Sequence, residues 1–81
     1  MNWIRKMCLT QSAFDAAVLE EIAGWGPLGV PGLLLRQRLE RQLGRLVSTA
    51  GTYLACERLA ARGAIVSWQS EGGPERNYKP V

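Results

Sequence analysis

The side chains best suited to binding chemistry are the basic and hydroxyl residues in the second half of the chain. Residues 36–81 carry eight basic and four acidic side chains, whereas residues 12–35 carry three acidic and no basic ones. Guanidinium and ammonium groups pair with phosphates, and hydroxyl groups bond to phosphates or base edges. Within a total charge of +3, this pattern favours a surface that faces a polyanion.

Eight residues of this half are candidate contacts. The arginines and the lysine suit phosphates, while the threonine hydroxyls suit bases or phosphates. Each candidate also has a structural interpretation, because serine caps helices, threonine bonds to its local backbone and arginine is often simply solvated. The candidates are Arg45, Ser48, Thr49, Thr52, Tyr53, Arg58, Arg76 and Lys79.

The sequence lacks the groups that enzymatic chemistry requires. It has no histidine, no clustered pair of carboxylates, no phosphate-cradling glycine loop and no base near Cys8 or Cys56. The two cysteines have no metal-ligand spacing. Trp3, Trp25 and Trp68 could line a ligand cavity, although aromatics so widely spaced are more typical of core anchors. We therefore expect no enzyme, no metal and no other cofactor.

A first helix is predicted from Ser12 onward. Ser12 with Asp15 three residues later resembles a capping box. The apolar residues that follow recur at helical spacing and form one face. They are Phe14, Val18, Ile22 and Trp25.

A loop rich in glycine and proline separates this helix from a second one. The segment GWGPLGVPG cannot stay helical, and it leaves room for a short extended bridge around Leu28. Pro31 is placed like the first residue of the second helix, and Gly44 ends that helix. Its predicted buried stripe is Leu35, Leu39 and Leu43.

A third helix is predicted over residues 48–62. Ser48 is a plausible N-cap after the tight turn at 44–48, and Gly63 is the natural left-handed residue after the helix. The predicted inward face of this helix is Thr52, Ala55, Cys56 and Leu59.

The C-terminal segment has the pattern of a β-hairpin. AIVSWQ and RNYKPV have strand character, and Gly72 and Gly73 in the SEGGPE loop between them supply positive φ for the reversal. A lone hairpin of this size is not stable in water. It must therefore pack on the helices, with Ile65 or Val66 and Trp68 as anchors.

The predicted order of elements is that of a winged helix. Two helices joined by a short glycine-containing turn form a helix-turn-helix, and the hairpin after them forms a wing. We predict a mainly α fold with a small β-hairpin, a winged helix-turn-helix of three helices plus wing. Residues 12–81 form this domain, and residues 1–11 form an arm or a short helix. In such a fold the third helix, 48–62, enters the major groove and the wing, 64–81, reaches the backbone or minor groove.

Two segments resemble the PadR-type regulators of the MarR-like superfamily. They are GPLG at 26–29 and YLACERLAARGAIVSWQSEGGPERNYK at 53–79. The shared pattern is Tyr-x-Ala-x-x-Arg-Leu-x-x-Arg-Gly followed by a Gly-Gly-Pro-Arg-x-Tyr wing. Val30-Pro31-Gly32 replaces the usual His-Gly-Tyr after GPL.

The resemblance implies a transcriptional regulator, most simply a repressor that binds double-stranded DNA as a homodimer. It also implies that Tyr53 points toward the DNA backbone. PadR regulators dimerise through C-terminal helices, and this sequence stops at the wing. A homodimer is therefore expected to use other residues, such as Trp3 and Ile4.

A winged helix used as a protein-binding module is the alternative. Between Leu46 and Glu57 the third helix has no lysine, arginine, asparagine or glutamine, which are the bidentate readers of bases. Glu71 and Glu75 beside the wing tip would repel phosphate. On this alternative, a protein takes the place of DNA as the partner.

A cytoplasmic location is expected for this chain. No run of eighteen apolar residues could form a membrane span, and the N-terminal segment is interrupted too early to be a secretory signal. Two thiols without an export signal are expected to be reduced.

Overall fold

Three helices and three short strands make up the part of the chain that the structure, a computed structural model, describes: residues 10–81. Almost all of the predicted arm at 1–11, with Trp3, Ile4 and Cys8, lies outside these residues. The elements are α1 (Gln11–Trp25), β1 (Val30–Pro31), α2 (Gly32–Leu43), α3 (Thr49–Ala61), β2 (Ile65–Gln69) and β3 (Arg76–Pro80). They form a small compact α/β domain.

Helix α1 begins at a different cap from the predicted one. The Thr10 hydroxyl accepts a hydrogen bond from the Ala13 amide at 3.1 Å, so Thr10 is the N-cap. The capping box at Ser12 is therefore wrong, and Ser12 lies inside the first turn. Asp15, its supposed partner, is instead buried with 7% of its surface exposed.

The core lies where the three helices meet the inner face of the sheet. The predicted stripes supply most of it, although Leu43 is only half-buried and Trp25 is 37% exposed. The Trp25 ring is covered instead by Arg38, whose guanidinium carbon lies 4.9 Å from the ring centroid. Buried apolar residues are Val18, Ile22, Val30, Leu35, Leu39, Val47, Ala55, Cys56, Leu59, Ile65 and Tyr78.

The three strands form one antiparallel sheet in the order β1-β3-β2. Tyr78 lies at its centre, paired with Val30 on one side and Ser67 on the other. The extended bridge is thus at Val30–Pro31 and not around Leu28, which is 91% exposed in the loop. Pro31 belongs to β1 and caps α2, so the helix begins one residue later than predicted.

Of the predicted hairpin anchors, Ile65, the alternative to Val66, has the expected role, whereas Trp68 does not lie in the core. Ile65 is buried, whereas Val66 and Trp68 are 42% and 37% exposed. Side chains alternate across a strand, so Val66 and Trp68 share the outer face of β2. At the hairpin tip Gly72 has a φ of 78°, and Gly73 has none of the positive φ predicted for it.

A carboxylate holds the turn between α2 and α3 in place. Gly44 ends α2 in the left-handed conformation, as predicted, and its amide donates to the Glu40 carbonyl at 2.9 Å. Oε2 of Glu40 then accepts hydrogen bonds from the Val47 amide and from Nη1 of Arg36, both at 3.0 Å. The Glu40 side chain therefore fixes the start of α3 relative to the end of α2.

Replacing Glu40 with alanine is expected to lower the free energy of unfolding by about 1–3 kcal/mol, because the amide of buried Val47 loses its acceptor. Urea unfolding followed by circular dichroism measures this loss. Glu40→Gln keeps an acceptor oxygen for Val47 and should cost less. Equal losses in the two variants would contradict this account of the turn.

No helix within residues 10–81 has both the length and the apolar character that crossing a bilayer requires.

Candidate functional site

The start of α3 is built on Ser48. Its hydroxyl accepts a hydrogen bond from the Gly51 amide at 2.9 Å, which confirms the predicted cap. Its carbonyl accepts one from the Thr52 hydroxyl at 3.0 Å. Thr52 is only 3% exposed. Its hydroxyl thus bonds to the local backbone, as the structural interpretation has it.

Arg58 does not face solvent as an unpaired cation. Its Nε and Nη2 donate to the two carboxylate oxygens of Asp15 at 2.9 and 2.7 Å. This bidentate hydrogen bonding raises the pKa of Arg58 above its ordinary value. The phosphate contact of Arg58 stays a prediction, because 37% of its side chain is exposed beside the pair with Asp15. Arg58 ties α3 to α1.

The Asp15–Arg58 pair is expected to behave as a unit in a double-mutant cycle. Arg58→Ala leaves the buried Asp15 carboxylate without its partner, and Asp15→Ala leaves the guanidinium without its acceptors. Each single variant should unfold at lower urea concentration than the unchanged protein. The double variant should lose less stability than the two single losses added together. Additive losses would contradict the coupling.

Four of the predicted contact residues meet at one groove. Thr49, Thr52 and Tyr53 from α3 line a space of about 210 Å³ together with Arg76 from β3. Leu33 at the start of α2 and Pro74 at the hairpin tip line it as well. We call this space the α3–hairpin groove. It brings the first turns of α3 and the returning hairpin strand to one surface.

The other two basic candidates lie elsewhere. Lys79 follows Tyr78 on β3, so its side chain lies on the face of the sheet opposite to that of Arg76. Its ammonium nitrogen lies 5.7 Å from the centroid of the Trp68 ring. Arg45 is exposed in the turn between α2 and α3. The structure therefore separates Lys79 from the groove and leaves Arg45 just before the start of α3.

The exposed side of α3 offers little chemistry for reading bases. Tyr53 is 41% exposed and Leu54 is 52% exposed. None of the exposed positions along the helix is a lysine, arginine, asparagine or glutamine. They are Thr49, Ala50, Tyr53, Leu54, Glu57 and Ala61.

Behind the groove, Cys56 and Tyr78 share a buried position between α3 and the sheet. Cys56 is a free thiol with 1% of its surface exposed. Burial raises its pKa from 9.0 to about 12, against a smaller lowering by a hydrogen bond with Tyr78. Burial also raises the pKa of the Tyr78 hydroxyl. Both groups are therefore neutral in the folded protein around neutral pH.

Alkaline pH is expected to destabilise the fold through this pair. Above pH 9 the unfolded chain releases the Cys56 proton while the folded chain retains it, up to a pKa of about 12. The free energy of unfolding should then fall by up to about 1.4 kcal/mol per pH unit for this thiol. Urea unfolding of the unchanged protein and of Cys56→Ala across this range measures the effect. An equally steep fall in Cys56→Ala would contradict it.

Sequence reasoning missed three side chains that position the site. Asp15 lies on the same helical stripe as Val18 and Ile22, and this spacing is the signal that could have shown its burial. Glu40 and Arg36 form an i, i+4 pair, a pattern visible in the sequence. The sequence does not show that Glu40 stabilises the turn, because that interaction is a hydrogen bond from the backbone amide of Val47.

Comparisons with family models, with curated proteins and with solved structures find no match for this chain. The likeness to PadR-type regulators rests on the residues of the two segments given above.

Proposed function

We propose that the chain is a winged-helix protein that binds duplex DNA and acts as a transcriptional repressor. One observation carries the proposal: the helix-strand-helix-helix-strand-strand order with strand order β1-β3-β2, which sets the start of α3 beside the hairpin. A helix held by a tight turn against its predecessor can project its outer side into the major groove. The hairpin beside it can then reach the backbone.

The contacts we assign are mostly to phosphates. Arg45 in the turn before α3 and Arg76 at the α3–hairpin groove supply positive charge. Thr49 and Tyr53 in the first turns of α3 supply hydroxyl groups. Ser48 contributes through the cap that it makes. Lys79 has a smaller part, because its ammonium group lies over Trp68 on the other face of the sheet.

Sequence discrimination on this account comes mainly from DNA shape. The exposed positions of α3 hold no bidentate base reader. Phosphate contacts set the register of a protein on DNA, and the cost of deforming each sequence then selects among sites. A homodimer doubles the contacts and requires two half-sites about one helical turn apart. We therefore propose a dimer with modest affinity per subunit.

Fluorescence anisotropy of a labelled duplex tests the assignment with a matched pair of variants. Arg76→Ala removes a charge at the α3–hairpin groove and should weaken binding and lower the salt slope by about 0.9. Arg38→Ala removes the same charge from α2, where Arg38 lies over the Trp25 ring. It should leave the affinity and the salt slope nearly unchanged. Equal effects of the two variants would mean that only total charge matters, and would contradict the proposed surface.

A protein-binding module is the second candidate, favoured by the apolar exposure near α3. Leu46 is 90% exposed and Leu54 is 52% exposed, and Glu57 adds negative charge to the same helix. On this candidate Leu54→Asp abolishes binding of the partner, while Arg76→Ala leaves it intact. Co-purification of a partner with each variant, in parallel with the anisotropy measurement, separates the two candidates.

A further inference from the structure

We infer that the open edge of β2 pairs with β2 of a second copy of the chain, so that the two copies share one antiparallel sheet about a two-fold axis at Ser67. The pairing itself does not depend on the proposed function. Only its consequence for the spacing of DNA half-sites rests on the proposed function, so the two can be tested separately.

β2 is an edge strand without the usual protection against pairing. The order β1-β3-β2 leaves one side of β2 without a neighbouring strand among residues 10–81. Charged side chains, proline and short length are the common means of protecting an edge. β2 is five residues long, and its sequence IVSWQ has no charge and no proline. The opposite edge is protected, because β1 has two residues and one of them is Pro31.

The hydrogen bonds of the hairpin show which backbone groups face the open edge. The Ser70 amide donates to the Glu75 carbonyl at 2.7 Å, and the Val81 amide donates to the Ala64 carbonyl at 3.3 Å. In an antiparallel ladder, such bonded pairs alternate with pairs that do not bond to each other. Every second residue of β2 therefore directs its N–H and C=O groups away from β3. These residues are Ile65, Ser67 and Gln69.

One register of self-pairing matches all of these outward groups. A two-fold axis at Ser67 places this residue opposite its own copy, and it places Ile65 opposite Gln69 of the second copy, so that the outward groups bond to one another. On the outer face of the sheet, the same register places Val66 beside Trp68 of the second copy. Both side chains are exposed in one chain alone. A β-branched side chain beside an aromatic ring is a favourable cross-strand pair.

The inner face of the sheet has room for the added strand. A space of about 410 Å³ lies between α3 and β2. Three of the side chains that line it are small, namely Ala60, Ala61 and Ser67. The inward side chains of the second copy's strand therefore have space beside α3.

Charge complementarity favours a second copy as the occupant of the edge. Continued past the strands, the register brings Gly63 opposite Glu71 of the second copy. Arg62 precedes Gly63 at the end of α3, and both Arg62 and Glu71 are exposed. An ion pair thus flanks the joined strands at each end. The lysines at position 79 lie three strand spacings apart, about 14 Å, where salt screens their repulsion.

The shared sheet also sets the distance between the two hairpin tips. Gly72 lies five residues beyond Ser67, so the tips of the two copies are roughly 33 Å apart along the strands, at about 3.3 Å per residue. This distance is close to the about 34 Å that separates half-sites one helical turn apart. The proposed homodimer would therefore place a wing on each of two successive turns of a duplex.

Cysteine cross-linking tests the register in the full chain. The background carries Cys8→Ser and Cys56→Ala, so that no native thiol competes. Ser67→Cys then places two thiols directly opposite each other, with Cα atoms about 5.5 Å apart, and mild oxidation should give a disulfide-linked dimer. Val66→Cys faces Trp68 of the second copy instead and should give about tenfold less linked dimer. Equal linking of the two variants, or none in Ser67→Cys, would overturn the register.

Charge exchange tests the proposed occupant in a chain that keeps its own strand. Strands of five residues bury less than the roughly 1,200–2,000 Å² of stable complexes, so sedimentation should show monomer and dimer in equilibrium. Arg62→Glu and Glu71→Arg should each weaken the dimer about tenfold, and the double variant should recover most of the loss. Single variants without effect, or a double variant without recovery, would overturn the inference. A chain that stays monomeric at every concentration, with the edge open or covered by residues 1–9, would also overturn it.

Binding of a labelled duplex separates the consequence for DNA from the pairing. The disulfide-linked Ser67→Cys dimer should bind a duplex with two half-sites at least about tenfold more tightly than its reduced form. Linking without any binding of DNA by either form would sustain the pairing and contradict the proposed function. Binding that the disulfide weakens or leaves unchanged would overturn the spacing.

Discussion

Replacing Leu59 with alanine is expected to lower the free energy of unfolding by about 2–5 kcal/mol. Leu59 has none of its surface exposed and belongs to the central cluster that joins α3 to α1 and the sheet. Its loss removes buried apolar surface and leaves a cavity that the three packed elements cannot fill. Urea unfolding measures the change. DNA binding should weaken with it at temperatures where α3 begins to detach.

Leu54→Ala is the matched control for Leu59. It makes the same chemical change on the same helix, at a position that is 52% exposed. Its cost should be within about 0.5 kcal/mol. A loss at Leu54 as large as that at Leu59 would mean that the outer side of α3 is buried in solution, as in an assembly, and would contradict the packing described here.

Replacing Gly29 with alanine is expected to cost roughly 2–4 kcal/mol, the second large effect. The φ of Gly29 is 94°, a conformation that residues with a Cβ rarely adopt. An added Cβ would lie 2.5 Å from Cη2 of Trp68 and 3.1 Å from the Tyr78 carbonyl oxygen. The variant must therefore move the Trp68 ring, the loop or both. Urea unfolding measures the loss.

Two further variants separate the two contributions to the loss of stability in Gly29→Ala, namely the positive φ and the contact with the Trp68 ring. Gly72→Ala also places a Cβ at positive φ, but in open space, so it reports the backbone cost alone. In a Trp68→Ala background, Gly29→Ala no longer meets the ring and should cost less than in the unchanged protein. Equal costs in the two backgrounds would contradict the contact between Trp68 and Gly29.

Helix α3 shows which features of this fold can be predicted from sequence. The sequence places a helix over 48–62 and the structure places it at Thr49–Ala61 between the expected caps. The signals are local, because Ser48 bonds three residues ahead and Gly63 supplies its φ of 80° just past the helix. The inward face follows from the spacing of apolar residues within one element.

The contacts that link elements could not be predicted in this way. Asp15 and Arg58 are 43 residues apart in the chain, and no pattern within either helix indicates that the two side chains meet. The same holds for Trp68 and Gly29, which come together only when β2 and the loop before β1 are placed. Helical spacing predicts on which side of a helix a residue lies. Which residue of another element it contacts depends on how the elements pack.

The part of the candidate site that lies within one helix could be predicted from sequence, whereas the part that joins two elements could not. Thr49 and Tyr53 lie one helical turn apart, so a shared surface follows from α3 alone. Arg76 joins them through the hairpin, whereas Lys79, three residues later, has the opposite face of the sheet. Arg76 and Lys79 are both basic residues of one segment. Because side chains alternate along a strand, they lie on opposite faces of the sheet.

The central claim is that α3 and the hairpin form a surface for DNA phosphates, and the salt dependence of duplex binding tests it most directly. Anisotropy of a labelled duplex should give a log–log slope of about −2 per subunit, from the two cationic contacts at Arg45 and Arg76. The affinity should be measurable at low salt and fall steeply as salt rises. No binding at low salt, or binding that salt leaves unchanged, would contradict the claim.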